Sequence, residues 1–138
     1  MVSNPLKQST SRRNGQAAEN IARLLLIRNG LKLIARNYHC PRGELDLVMK
    51  EGDVWVMVEV RYRASDHYGS AAASITAGKR ARLVASARYF LLEYVRTLDV
   101  AMRFDVVVLT GSLDRPETRW IRCAFYADEL FSNQGSSD

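Results

Sequence analysis

A chain of 138 residues that is 47% hydrophobic has the size of one domain and can bury a core without staples, which excludes wholesale disorder. Its net charge of +5 and pI near 9.5 favour a polyanionic partner. The two cysteines, Cys40 and Cys123, are too few for a disulfide framework, the N-terminus has no apolar signal core, and no apolar run nears the ~20 residues of a membrane span, so a cytoplasmic protein with no membrane partner is expected.

Residues 1–13 are polar and basic and read as a flexible N-terminal arm, in which Arg12 and Arg13 either touch phosphates or are simply solvated. A single domain over 14–131 follows, and residues 132–138 read as a disordered tail. The first helix is expected over Asn14 to Asn29, with Ala18, Ile21, Ala22 and Leu25 at helical spacing, Asn14 as cap and Asn29-Gly30 as stop. Glu19 borders this stripe; it either pairs with Arg23 four residues on or adds an acid to a site. Leu31 to Tyr38 is a strand, broken by His39-Cys40-Pro41-Arg42-Gly43. A zinc site here is excluded, because two His and two Cys lack any paired ligand spacing.

Glu44–Met49 and Val54–Arg63 form a hairpin around a turn at Glu51-Gly52, so that paired residue numbers sum to about 103 and Asp46 faces Met57. Alternation puts Glu44, Asp46, Glu59 and Arg61 on one face and Leu45, Leu47, Val56, Val58 and Val60 on the other. Residues 64–74 read as a loop, whose His67 and Tyr68 either reach substrate or are solvated. The long helix runs from Thr76 to about Thr97, capped by Ser74 or Thr76, with a stripe of Ala77, Ala81, Val84, Ala87, Leu91 and Tyr94. Lys79, Arg80 and Arg82 crowd its N-terminal part, against the helix dipole; this is either a phosphate-binding face or a solvated one. Strands over Met102–Leu109 and Glu117–Phe125 follow, then a helical turn at 127–131.

Acids inside strand-forming runs are costly unless something binds them. Oxygen ligands on one face suit Mg²⁺ or Mn²⁺, held by Asp46, Glu59 and the main-chain carbonyl of Val60. Arg61, on the same face, would stabilise an anionic transition state. The chemistry so assembled is metal-assisted phosphodiester cleavage. The plainer reading of the same residues is a solvated sheet face.

The spacing Gly43-Glu44-x-Asp46, twelve residues, then Glu59-Val60-Arg61 resembles the motif of the PD-(D/E)xK nuclease superfamily. The wider frame resembles its YraN-type branch of uncharacterised bacterial proteins, endonuclease-like and related to Holliday junction resolvases. That frame takes in Gly15, Glu19, Ala22, Arg36-Asn37, Gly43 to Leu47, Val58 to Arg63, Lys79 and Arg103 to Val107. The resemblance implies an α/β, restriction-endonuclease-like α/β/α sandwich with a central mixed sheet, ordered helix, three strands, helix, strands. It implies an endonuclease acting on DNA more than RNA, branched or damaged DNA included, with Glu19 at the site rim; Arg63 and the helix cations Lys79, Arg80 and Arg82 are the expected nucleic-acid contacts. A homodimer would suit a two-fold substrate. Arg61 stands where the superfamily has lysine, and arginine stays charged and cannot serve as a general base; Lys79 is the alternative source of an ammonium. A binding protein with little or no catalysis, and an interaction domain that keeps only the fold, are the competing functions.

Overall fold

The computed structural model describes the backbone of residues 5–64 and 75–125, and side chains from Arg12 onward. The expected contacts of His67 and Tyr68, the helical turn at 127–131 and the tail at 132–138 lie outside the described residues. The elements are α1 (Pro5–Arg28), β1 (Lys32–Cys40), β2 (Gly43–Glu51), β3 (Val54–Arg63), α2 (Ala77–Phe90), β4 (Met102–Thr110) and β5 (Glu117–Phe125). One five-stranded sheet has the order β1-β2-β3-β4-β5. The β3–β4 pair is parallel and the other three are antiparallel. The sheet is therefore mixed, as expected, and helices cover both faces, an arrangement compatible with the restriction-endonuclease-like sandwich.

Helix α1 begins at Pro5, nine residues before the expected Asn14 cap. Proline is tolerated in a first helical turn, where its missing N–H would be unpaired in any case. Ala18, Ala22 and Leu26 pack against Leu47, Met49, Val56, Val58, Val107 and Leu109. The opposite face of the sheet is covered by α2, through Leu83, Val84, Ala87 and Phe90, with Leu91 beyond it, against Val48, Met57 and Phe104. The apolar stripe of α2 is thus rotated from the expected one: Ala77 and Ala81 are exposed and Tyr94 is 65% exposed. Thr76 caps the helix by accepting from the Lys79 N–H at 3.1 Å. The helix also ends differently, passing through a π-helical turn at Leu91–Val95 to Arg96 in the left-handed region at φ 70°.

The β2–β3 register is Leu47↔Val58, Val48↔Met57 and Glu51↔Val54, so residue numbers sum to 105, not 103. The hairpin turns at Gly52-Asp53, one residue later than expected, and Gly52 supplies the positive φ of 58°. A shift of two in the sum leaves every side chain on its face. It does change partners: Met57 lies across from Val48 rather than Asp46, and the paired ladder ends at Leu47↔Val58, one residue short of Asp46 and Glu59. Alternation itself breaks at Leu45, which packs in the α2 cluster and not with Leu47.

The β1–β2 turn is Pro41-Arg42, and Gly43 after it has φ 145°. A Cβ there would lie 3.2 Å from the Oγ of Ser86 on α2. Backbone and space both call for glycine. Gly43→Ala is expected to destabilise the fold by about 1–3 kcal/mol, seen as a lower thermal midpoint.

Candidate functional site

Three elements converge at one end of the sheet: the middle of β2, the C-terminal half of β3, and the N-terminus of α2. Asp46 and Glu59 share a hydrogen bond. The Val60 N–H donates to Asp46 Oδ2 at 2.8 Å, so β3 itself holds the Asp46 carboxylate in place. Glu59 is only 8% exposed. Its Oε2 lies 3.5 Å from Lys79 Nζ and 4.0 Å from an Arg61 guanidinium nitrogen. Lys79 reaches the pair because Thr76 caps α2 beside it.

Two carboxylates so close cannot both ionise cheaply. Burial, and then the negative charge of Asp46, push Glu59 up to about 7, against the pull of Lys79 and Arg61. Burial also raises Asp46, although the Val60 N–H opposes it. Both carboxyls are thus pushed upward, and the pair holds a proton more readily than two separate carboxyls would.

Glu19 of α1 completes the rim. Burial and the charge of Asp46 raise its pKa, while the Asn37 amide donates to its carboxylate and lowers it. Asn37 stands between the β1–β2 pairs Arg36↔Leu47 and Tyr38↔Leu45, opposite Asp46, with φ 53°. A non-glycine residue in that region is uncommon and is tolerated best in asparagine, aspartate and histidine. The signal was in the sequence, as an asparagine inside a strand-forming run, but it carried no assigned role. Glu44 is exposed, with a carboxylate oxygen 3.1 Å from His39 Nδ1. Its charge still reaches Asp46 and Glu19.

The remaining expected residues are spread out. Arg63 ends β3, paired with Thr110. Arg80 lays its guanidinium 5.4 Å from the Phe125 ring, which gives it a packing role on the sheet. Arg82 is exposed on α2 beside Gly43. Of the four cations expected on nucleic acid, Lys79 lies against the carboxylate pair. No group of three or more His, Cys, Asp or Glu arranged to hold a metal ion occurs among the described residues. Both cysteines are free, and no helix among the described residues is long and apolar enough to cross a membrane.

A second buried acid went unassigned in the sequence. Asp105 is 1% exposed and accepts from Arg103 Nε at 3.0 Å, Trp120 Nε1 at 2.9 Å and the Cys123 N–H at 3.0 Å. It ties β4 to a bulge in β5, where Cys123 has φ 51° and the register shifts between Phe104↔Phe125 and Val106↔Ile121. Arg103 in turn pairs with Glu51 at 2.7 Å. An aspartate inside Arg-Phe-Asp-Val-Val-Val is the same sequence signal that singled out Asp46.

Residues 18–109 match the family described as uncharacterised protein family UPF0102. A UPF0102 protein of Nitrosomonas europaea is 44% identical over 117 residues, covering 85% of this chain and 97% of its own length. One of Nitrosococcus oceani is 41% identical over 120 residues, covering 87% of this chain and 97% of its own. One of Saccharophagus degradans is 42% identical over 115 residues, with coverage of 83% and 94%.

Proposed function

The chain belongs to the UPF0102 family, a family without an assigned activity, and from that premise we propose that it is a metal-dependent endonuclease that hydrolyses phosphodiester bonds in DNA. The observation that carries the reading is the Asp46–Glu59 pair: two largely buried carboxylates forced to share a proton, with Lys79 and Arg61 against them. A protein that needed only a folded sheet would be more stable with an apolar pair there.

The donor set fits a hard divalent cation. Carboxylate and carbonyl oxygens suit Mg²⁺ or Mn²⁺, and a cation would displace the shared proton. Asp46 and Glu59 would hold it, with the Val60 carbonyl and water filling the remaining positions. Bound there, the ion supplies charge neutralisation at the phosphate and acidifies the attacking water. Lys79 offers a compact ammonium to the anionic phosphate oxygens, from the position nearest Glu59. Arg61 adds a fixed charge and moves no proton at neutral pH. Glu19, at the rim, orients through Asn37.

The test is a metal-titrated cleavage and binding screen over duplex, single-stranded and branched DNA. Cleavage with Mg²⁺ or Mn²⁺ that is lost in Asp46→Ala, and falls by about 100-fold or more in Lys79→Ala, is the expected result. Cleavage surviving Asp46→Ala would remove this site from the reaction. Salt-dependent binding without turnover under any metal would leave a nucleic-acid-binding protein, the function that Arg61 at the motif position favours.

A further inference from the structure

Away from the carboxylate pair, between the β1–β2 turn and the outer side of α2, lies a cavity of about 880 Å³. It falls within the roughly 300–1,000 Å³ range of small-ligand sites. Val84, Ala85, Tyr89 and Leu92 line it, and Arg42 and Arg88 bring two positive charges against the one negative charge of Glu93. Tyr89 is 42% exposed and Leu92 53%, so neither is spent on the core. The cavity adjoins the candidate site. His39 lines it, with Nδ1 3.1 Å from a carboxylate oxygen of Glu44, two residues from Asp46. Lys79, at the carboxylates, and Tyr89, at the cavity, lie on one helix, about 15 Å apart along its axis.

We infer that this cavity receives an unpaired base of the nucleic-acid substrate, with Tyr89 as its stacking surface and Arg42 at the adjoining phosphate. The inference rests on the nucleic-acid reading above and narrows it: the preferred substrate has unpaired nucleotides beside the scissile bond. A duplex keeps its bases stacked inside and would offer this apolar hollow only phosphates, which gain nothing from Val84, Tyr89 or Leu92. An unstacked base gains on an aromatic face without regard to sequence. The arginines and the net charge of +5 select a phosphate-bearing ligand over a neutral one.

The test reads binding in EDTA, by fluorescence anisotropy, with a dye-labelled oligothymidylate and a blunt duplex of equal length. The wild type is expected to bind the single strand more tightly. Tyr89→Ala weakens single-strand binding by about 5- to 100-fold and lowers the single-strand preference with it, while Tyr89→Phe retains both. Ala85→Trp, which fills the hollow, repeats the loss by a different route. Unchanged single-strand affinity in both Tyr89→Ala and Ala85→Trp overturns the assignment, as does an equal loss on strand and duplex. A sedimentation change in Tyr89→Ala with single-strand affinity intact identifies a second copy of the chain as the occupant and also overturns it. Because no metal is present, the two readings separate. A Tyr89-dependent preference in a protein that never cleaves rejects the nuclease and keeps the groove. Cleavage without that preference rejects the groove alone. Binding to neither ligand rejects both.

Discussion

Glu59→Gln is expected to raise the thermal stability of the metal-free protein above neutral pH while abolishing its response to Mg²⁺ or Mn²⁺ and its cleavage. Glu59 is held up at about 7 in the fold, against an ordinary 4.5, by burial and by Asp46. A carboxyl raised in this way favours the folded state fully below pH 4.5, and that contribution is lost as pH rises through 7. The loss is on the order of 3 kcal/mol. Glutamine has no proton to lose, so the variant's stability changes less between pH 5 and 8. In the wild type the divalent ion replaces the proton, so its stabilising effect is larger at pH 8 than at pH 5. Thermal unfolding at both pH values, with EDTA and with each metal, reads all of this without a substrate. A variant that keeps the wild-type pH slope would show that the shared proton is elsewhere. Raised stability with lost activity is the pattern expected where a fold tolerates strain for chemistry.

Asp105→Ala has the opposite sign and no metal dependence. The substitution removes the acceptor of three donors at once: Arg103 Nε, whose guanidinium keeps Glu51 on another nitrogen, the Trp120 indole and the Cys123 N–H. Removing one partner of a buried charge pair costs about 3–5 kcal/mol. For a chain of this length that is a fall in melting temperature of about 10–20 °C. Asp105 is also the β4 partner of Val58, the residue before Glu59, so loosening it slackens the strand that carries Glu59. Calorimetry in EDTA measures the loss. A drop of less than about 1 kcal/mol would mean that water replaces the carboxylate and that the network is not structural.

The sheet and both helices were legible in the residues because hydrophobic period separates strands from helices. The closeness of Asp46, Glu59 and Arg61 was legible too, although the turn lay one residue later than expected and the alternation of β2 breaks at Leu45, between Glu44 and Asp46. What counting could not supply was the partner of Asp46, because that residue lies beyond the last paired rung, where the Val60 N–H and Glu59 meet its carboxylate. The break at Leu45 and the rotated stripe of α2 were equally hidden: both follow from packing against Phe90, Leu83 and Met57 rather than from local pattern. Lys79 showed itself as a cation on the wrong end of a helix. That anomaly has a local electrostatic reason, since Glu59 stands 3.5 Å from its ammonium. Asp105 was readable by the rule that found Asp46, but its role depends on a bulge eighteen residues downstream.

Both outer strands of the sheet are irregular, β1 between Leu33 and Ala35 and β5 near Cys123. Among the described residues, neither offers another chain a straight row of free amides and carbonyls, and Lys32 and Arg36 add charge along the first. Sheets guarded in this way resist end-to-end stacking into fibrils. Concentrated solutions should therefore stay free of cross-β aggregates, and two copies that meet should do so through helices and side chains, with no strand continuing from one molecule into the next.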